Sequence, residues 1–116
     1  MEHIHVNLDQ PVFAPQFDLT LLQVVSMQDK QWIDGVTCVT QECDGELLYW
    51  NCSIVDAKKA RKNANIATGL MPLIGIGQQV HSSDFEFNGI DYVASDWLSA
   101  VVTKDQFLHA KNSETE

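Results

Sequence analysis

Polar and apolar residues alternate over residues 3–9, placing Ile4, Val6 and Leu8 on one side of an extended chain. That period-two pattern predicts a half-buried strand. Pro11 and Pro15 follow; each lacks an amide donor and restricts the residue before it, so residues 10–16 read as a connection. Apolar character resumes over residues 17–26 with Phe17, Leu19, Leu21, Val24 and Val25, and a second strand is expected there.

Two runs of strand formers, 36–41 and 47–55, flank Cys43-Asp44-Gly45-Glu46, whose Asp-Gly step suits a tight hairpin turn. A two-residue loop sets Val39 opposite Trp50 and Gln41 opposite Leu48; a three-residue loop sets Cys38 opposite Cys52. Both faces carry apolar residues, so the pattern leaves the register open. Asp56 is expected as a helix N-cap, with good helix formers over residues 57–68 before Gly69 and Pro72. Ala57, Ala60, Ala64 and Ala67 share one helical face, while Lys58, Lys59, Arg61 and Lys62 occupy the other side. Small residues let such a helix approach a sheet closely.

The clearest local signal is 84–93, where Asn88-Gly89 sits between alternating runs. A two-residue turn there sets Phe87 opposite Ile90 and Phe85 opposite Tyr92 on one face, and Glu86 opposite Asp91 and Asp84 opposite Val93 on the other. Beyond it, Ser95 or Asp96 caps a helix running to about His109, or residues 97–102 form a strand and Thr103-Lys104-Asp105-Gln106 caps a shorter helix. The whole pattern predicts an α+β fold: mostly antiparallel sheet of about five strands with two hairpins, a central helix near 56–68 and a C-terminal helix. Residues 1–110 are expected as one compact domain, and 111–116 as a polar tail.

Composition fits that picture. The chain has 116 residues, 45% hydrophobic and 20% charged, enough for one core and typical of a globular domain. The longest nearly apolar stretch, 69–77, contains Pro72 and three glycines, far short of the roughly 20 apolar residues of a membrane-spanning helix. The amino terminus has neither the basic start nor the apolar run of a secretory signal, and three cysteines, Cys38, Cys43 and Cys52, suit a reducing compartment. A cytoplasmic location is expected.

Charge changes the reading more. The formal net charge is −9, but residues 56–63 hold four bases and one acid, leaving three bases against fifteen acids elsewhere. A −12 body thus carries a +3 helix, while the overall balance argues against binding nucleic acid phosphates. On the second hairpin, opposed carboxylates repel unless a cation or basic partner lies near them. The plainer reading of both features is a solvated helix face and an edge charged against aggregation.

No catalytic constellation emerges. His81-Ser82-Ser83-Asp84 has triad residue types, but adjacent residues of an extended chain point to opposite faces. Gly75-Ile76-Gly77 lacks the third glycine of a dinucleotide site. The cysteines with His81 lack paired zinc-ligand spacing, and His3 near the amino terminus is only a weak copper-type chelate. No cofactor and no metal are expected.

The sequence therefore points to a non-catalytic interaction module, self-associating as a homodimer or binding a basic protein. Its expected binding residues are Asp84, Glu86 and Asp91 on the hairpin and Lys58, Lys59, Arg61 and Lys62 on the helix. The alternative is a small-molecule binder with an apolar pocket walled by Trp32, Trp50, Trp97 and Tyr92.

Overall fold

The computed structural model describes residues 13–64 and 79–114. Among these, the elements run α1 (Leu21–Gln28), β1 (Cys38–Gln41), β2 (Glu46–Trp50), α2 (Ile54–Lys62), β3 (Gln79–Asp84), β4 (Glu86–Phe87), β5 (Ile90–Asp91), β6 (Val102–Thr103) and α3 (Lys104–Glu114). The fold is α+β, with one four-stranded antiparallel sheet in the order β3-β2-β1-β6 and a separate ribbon, β4-β5. Six strands stand among the described residues, where about five were expected for the whole chain. The alternating segment 3–9, the run 69–77 and residues 65–68 lie outside the described residues, and the helix expected over 56–68 ends at Lys62, with Asn63 as its C-cap.

Residues 17–26, read as a strand, contain the start of α1 instead. Thr20 accepts from the Gln23 amide at 3.2 Å, and Gln23 Oε1 accepts from the Thr20 amide at 2.8 Å, closing a capping box worth about 1 kcal/mol. Leu21, Val24 and Val25 recur at helical spacing and are fully buried. Asp96 Oδ1, distant in sequence, accepts from the Leu21 amide at 2.8 Å and places a carboxylate on the helix's positive end. At the other end, Lys111 donates to the Ser26 carbonyl.

The first hairpin adopts neither expected register. Cys38 faces Trp50, Val39 faces Tyr49, Thr40 faces Leu48 and Gln41 faces Leu47. The loop is Cys43-Asp44-Gly45, with Gly45 N donating to Glu42 O at 3.0 Å and Glu42 N to Glu46 O at 2.8 Å. Gly45 has φ +98, so a turn followed by a left-handed glycine shifts the pairing by one residue from the two-residue loop.

That register divides the sheet's side chains between two layers. Val39, Leu47, Tyr49 and Val102 join Leu21, Val24 and Val25 of α1 and Phe107 of α3 in the main core. Cys38 joins Cys52 and Ala57 of α2, with Trp50 packed against them, on the other face. The central strands are covered on both sides, which explains why both of their faces are apolar.

Ser53, not Asp56, caps α2: its hydroxyl accepts from the Asp56 amide at 3.1 Å, and Asp56 lies in the first turn. Ala57 and Ala60 are buried, and Ala57 packs with Cys38 of β1. At the carboxyl end the shorter, separately capped helix is the observed one, but residues 95–99 form turns and the strand before it is Val102–Thr103 rather than 97–102. Thr103 and Gln106 form the capping box, at 3.3 Å and 3.1 Å, and α3 continues past His109 to Glu114.

Candidate functional site

The second hairpin forms as its turn chemistry predicts. Asn88 and Gly89 both have positive φ, 54 and 82, and Phe87 faces Ile90 while Glu86 faces Asp91. Phe85 is buried, and its carbonyl accepts from the Tyr92 amide at 2.9 Å. Phe17 fixes the ribbon to the body, its ring lying 5.7 Å from Phe85, 5.7 Å from Phe87 and 4.8 Å from Tyr92.

Glu86 and Asp91 are exposed and directly opposed. Asp84 closes β3 against Glu46 of β2, not against Val93, which bridges to Gln16 instead. Acid therefore faces acid twice, and Glu42 and Asp44 adjoin the Glu46 end. Burial, then Asp44 and Glu46, push the Glu42 carboxyl above its ordinary range, while Arg61 pulls it back. Glu42, Asp44 and Glu46 extend the acidic region predicted from Asp84, Glu86 and Asp91; the acid-rich turn 42–46 was the sequence signal for them.

On α2, Lys58, Lys59 and Lys62 are exposed as expected. Arg61 is not: it is 3% exposed, its Nη1 donates to the Gln41 carbonyl at 3.0 Å, and its guanidinium lies 5.8 Å from the Trp97 ring centroid. Burial lowers its pKa, opposed by the Glu42 carboxylate. A planar guanidinium suits that stacked position in a way an ammonium does not.

Gln41, fully buried, is the junction of the region. Its Nε2 donates to Gly45 O and Tyr92 O, both at 3.0 Å, and its Oε1 accepts from Ala94 N at 2.7 Å. One side chain thereby joins the first hairpin's turn to the strand leaving the second.

The four aromatics expected around a pocket have separate partners. Trp32 packs near Phe107 at 5.4 Å and donates to Val36 O; Trp50 donates to Thr40 Oγ1 at 2.9 Å; Trp97 backs Arg61; Tyr92 packs on Phe17. A cleft of about 440 Å³ lies elsewhere, lined among the described residues by Lys58, Arg61, Lys62, Ala64, Leu98, Ser99 and Val101.

The candidate chemistry at 81–84 takes structural roles. His81 packs on Tyr49 with centroids 4.8 Å apart, and Ser83 Oγ lies 3.2 Å from the Tyr49 hydroxyl, which donates to Asp29 at 2.9 Å. Burial raises the pKa of that phenol. The three cysteines are buried and none is in a disulfide, and among the described residues no cluster of His, Cys, Asp and Glu is arranged to hold a metal ion. Nor is any described helix long and apolar enough to cross a membrane.

No protein-family model matches the chain, and neither a curated protein nor a solved structure is detectably similar to it.

Proposed function

We propose that this domain is a non-catalytic protein-interaction module of the cytoplasm that engages partners, including a second copy of itself, through two oppositely charged surfaces. The observation carrying this reading is the pairing of acid with acid, Glu46 with Asp84 and Glu86 with Asp91, on a body whose α2 exposes Lys58, Lys59 and Lys62. Directly opposed like charges cost stability, and a basic partner surface relieves that cost. In a two-fold dimer the contact is made twice, each copy's basic helix meeting the other's acidic patch.

Light scattering at low and high salt tests the self-association. A dimer at micromolar concentration that dissociates as salt screens the contact is expected; a strict monomer in both would sink the homodimer. Charge reversal of Glu86 and Asp91 should abolish capture of a basic partner, and unchanged capture removes that face from the proposal.

A further inference from the structure

The cleft between α2 and the segment 98–101 has a character that the charged surfaces alone do not explain. Lys58, Arg61 and Lys62 stand at helical spacings of three and four, so all three cations share one face and line the same space. Leu98 and Val101 contribute apolar lining, Ser99 is hydroxyl-bearing, and Ala64 adds a small side chain. The volume, about 440 Å³, falls within the range of small-molecule sites.

The cations differ in how they are held. Arg61 is fixed by Gln41 O and by the Trp97 ring, so its charge stays at the cleft. Lys58 and Lys62 are exposed, their long stems free to close on a guest. Glu42 offsets part of the Arg61 charge, leaving the two lysines as the excess. Like charges one turn apart repel modestly, and an anion between them turns that repulsion into attraction. The −9 body opposes approach from afar, but beyond about 10 Å ordinary salt screens it, so the nearby cations dominate inside the cleft.

We infer that this cleft binds a small amphipathic anion, a phosphate or carboxylate head held by Lys58, Lys62 and Ser99 with an apolar body against Leu98 and Val101. This ligand class is distinct from the partners proposed above, and its site holds none of the aromatics Trp32, Trp50 and Tyr92.

A two-dimensional amide NMR titration of the full chain with phenyl phosphate, inorganic phosphate and benzyl alcohol tests it. Saturable shifts at Lys58, Arg61, Lys62, Leu98, Ser99 and Val101 are expected with phenyl phosphate. Inorganic phosphate should bind about tenfold more weakly, the difference made by some tens of Å² of buried apolar surface. Benzyl alcohol, which lacks the charge, should not saturate. The double variant Lys58→Glu, Lys62→Glu should retain the native spectrum and lose the phenyl phosphate shifts. Equal affinity for the two phosphates, shifts centred elsewhere, no saturation, or undiminished binding by the variant would each overturn the assignment. Repeating the titration in salt that yields monomer separates this result from self-association: cleft shifts that persist there belong to the ligand site even if no dimer forms at all.

Discussion

The side-chain carbonyl of Gln41 accepts from the backbone amide of Ala94 at 2.7 Å, joining two segments that share no regular strand pairing. With its amide also serving Gly45 O and Tyr92 O, Gln41 occupies a buried position where an apolar residue of similar size would strip Ala94 N and Tyr92 O of this partner and leave Gly45 O only its 3.4 Å bond from Phe85 N. Gln41→Leu is therefore expected to cost roughly 2 kcal/mol or more, since each buried unsatisfied group costs about 1–3 kcal/mol. Urea denaturation measures it; a loss under about 1 kcal/mol shows that the junction is dispensable.

Four basic residues of α2 divide into one structural and three solvated. Arg61→Ala should cost about 3 kcal/mol through lost packing on Trp97 and an orphaned Gln41 carbonyl, whereas Lys58→Ala and Lys59→Ala should each stay within about 0.5 kcal/mol. Arg61→Lys should recover only part of the loss, because an ammonium does not stack as a guanidinium does. Thermal melting of the four variants checks the order.

Gly45 and Gly89 both have positive φ, 98 and 82, yet only one is crowded. A Cβ at Gly45 would meet Tyr92 O at 3.0 Å and the Asp91 Cβ at 3.3 Å, while at Gly89 nothing lies within 4 Å. Both alanine substitutions incur left-handed strain of about 1 kcal/mol, and Gly45→Ala adds displacement of the neighbouring hairpin. Gly45→Ala is expected to be the more damaging by denaturation, and equal losses would show that the hairpins yield to each other easily.

Burial pushes the Cys38 thiol from 9.0 up to about 11, helped by Cys52 and opposed by the Thr37 hydroxyl. Between those values the native chain keeps a proton that the unfolded chain has lost. The stabilisation is thus complete below about pH 9 and disappears as pH rises through about 11, a difference of about 2–3 kcal/mol. Cys43, Cys52 and Tyr49 are raised the same way, so the comparison with Cys38→Ala isolates this thiol. Stability curves across the alkaline range should fall less steeply for the variant; parallel curves would remove Cys38 as the cause.

Local chemistry made much of this legible. Asn88-Gly89 specified its turn and pairing because the left-handed conformation is affordable to those two residues and the alternation agreed with it. Thr103-x-x-Gln106 likewise marked the start of α3. The same Thr-x-x-Gln signature at Thr20 and Gln23 was masked by the β-branched pair Val24 and Val25, whose strand preference yields to burial of one helical face. The first hairpin's register depended on a left-handed Gly45, and its two apolar faces gave alternation nothing to choose between. Arg61 was placed with the solvated bases because helical spacing assigns a direction, while the carbonyl and ring that draw it inward come from residues 20 and 36 positions away in the chain. The cleft depended on the segment 98–101 meeting α2, a juxtaposition no periodicity encodes.

The clasp between the chain's early and late segments bears on the order of assembly. Leu19 O accepts from Ser95 N, Leu21 N donates to Asp96, and Ser26 O accepts from Lys111. During synthesis both hairpins can close as soon as they leave the ribosome, and the Leu21, Val24 and Val25 stripe of α1 can begin to pack on Val39, Leu47 and Tyr49, but its cover lacks Phe107 until α3 emerges. Its apolar face stays partly uncovered until then, so chaperone capture and early proteolysis should concentrate on the segment around α1, and a chain stalled before α3 should be the aggregation-prone species.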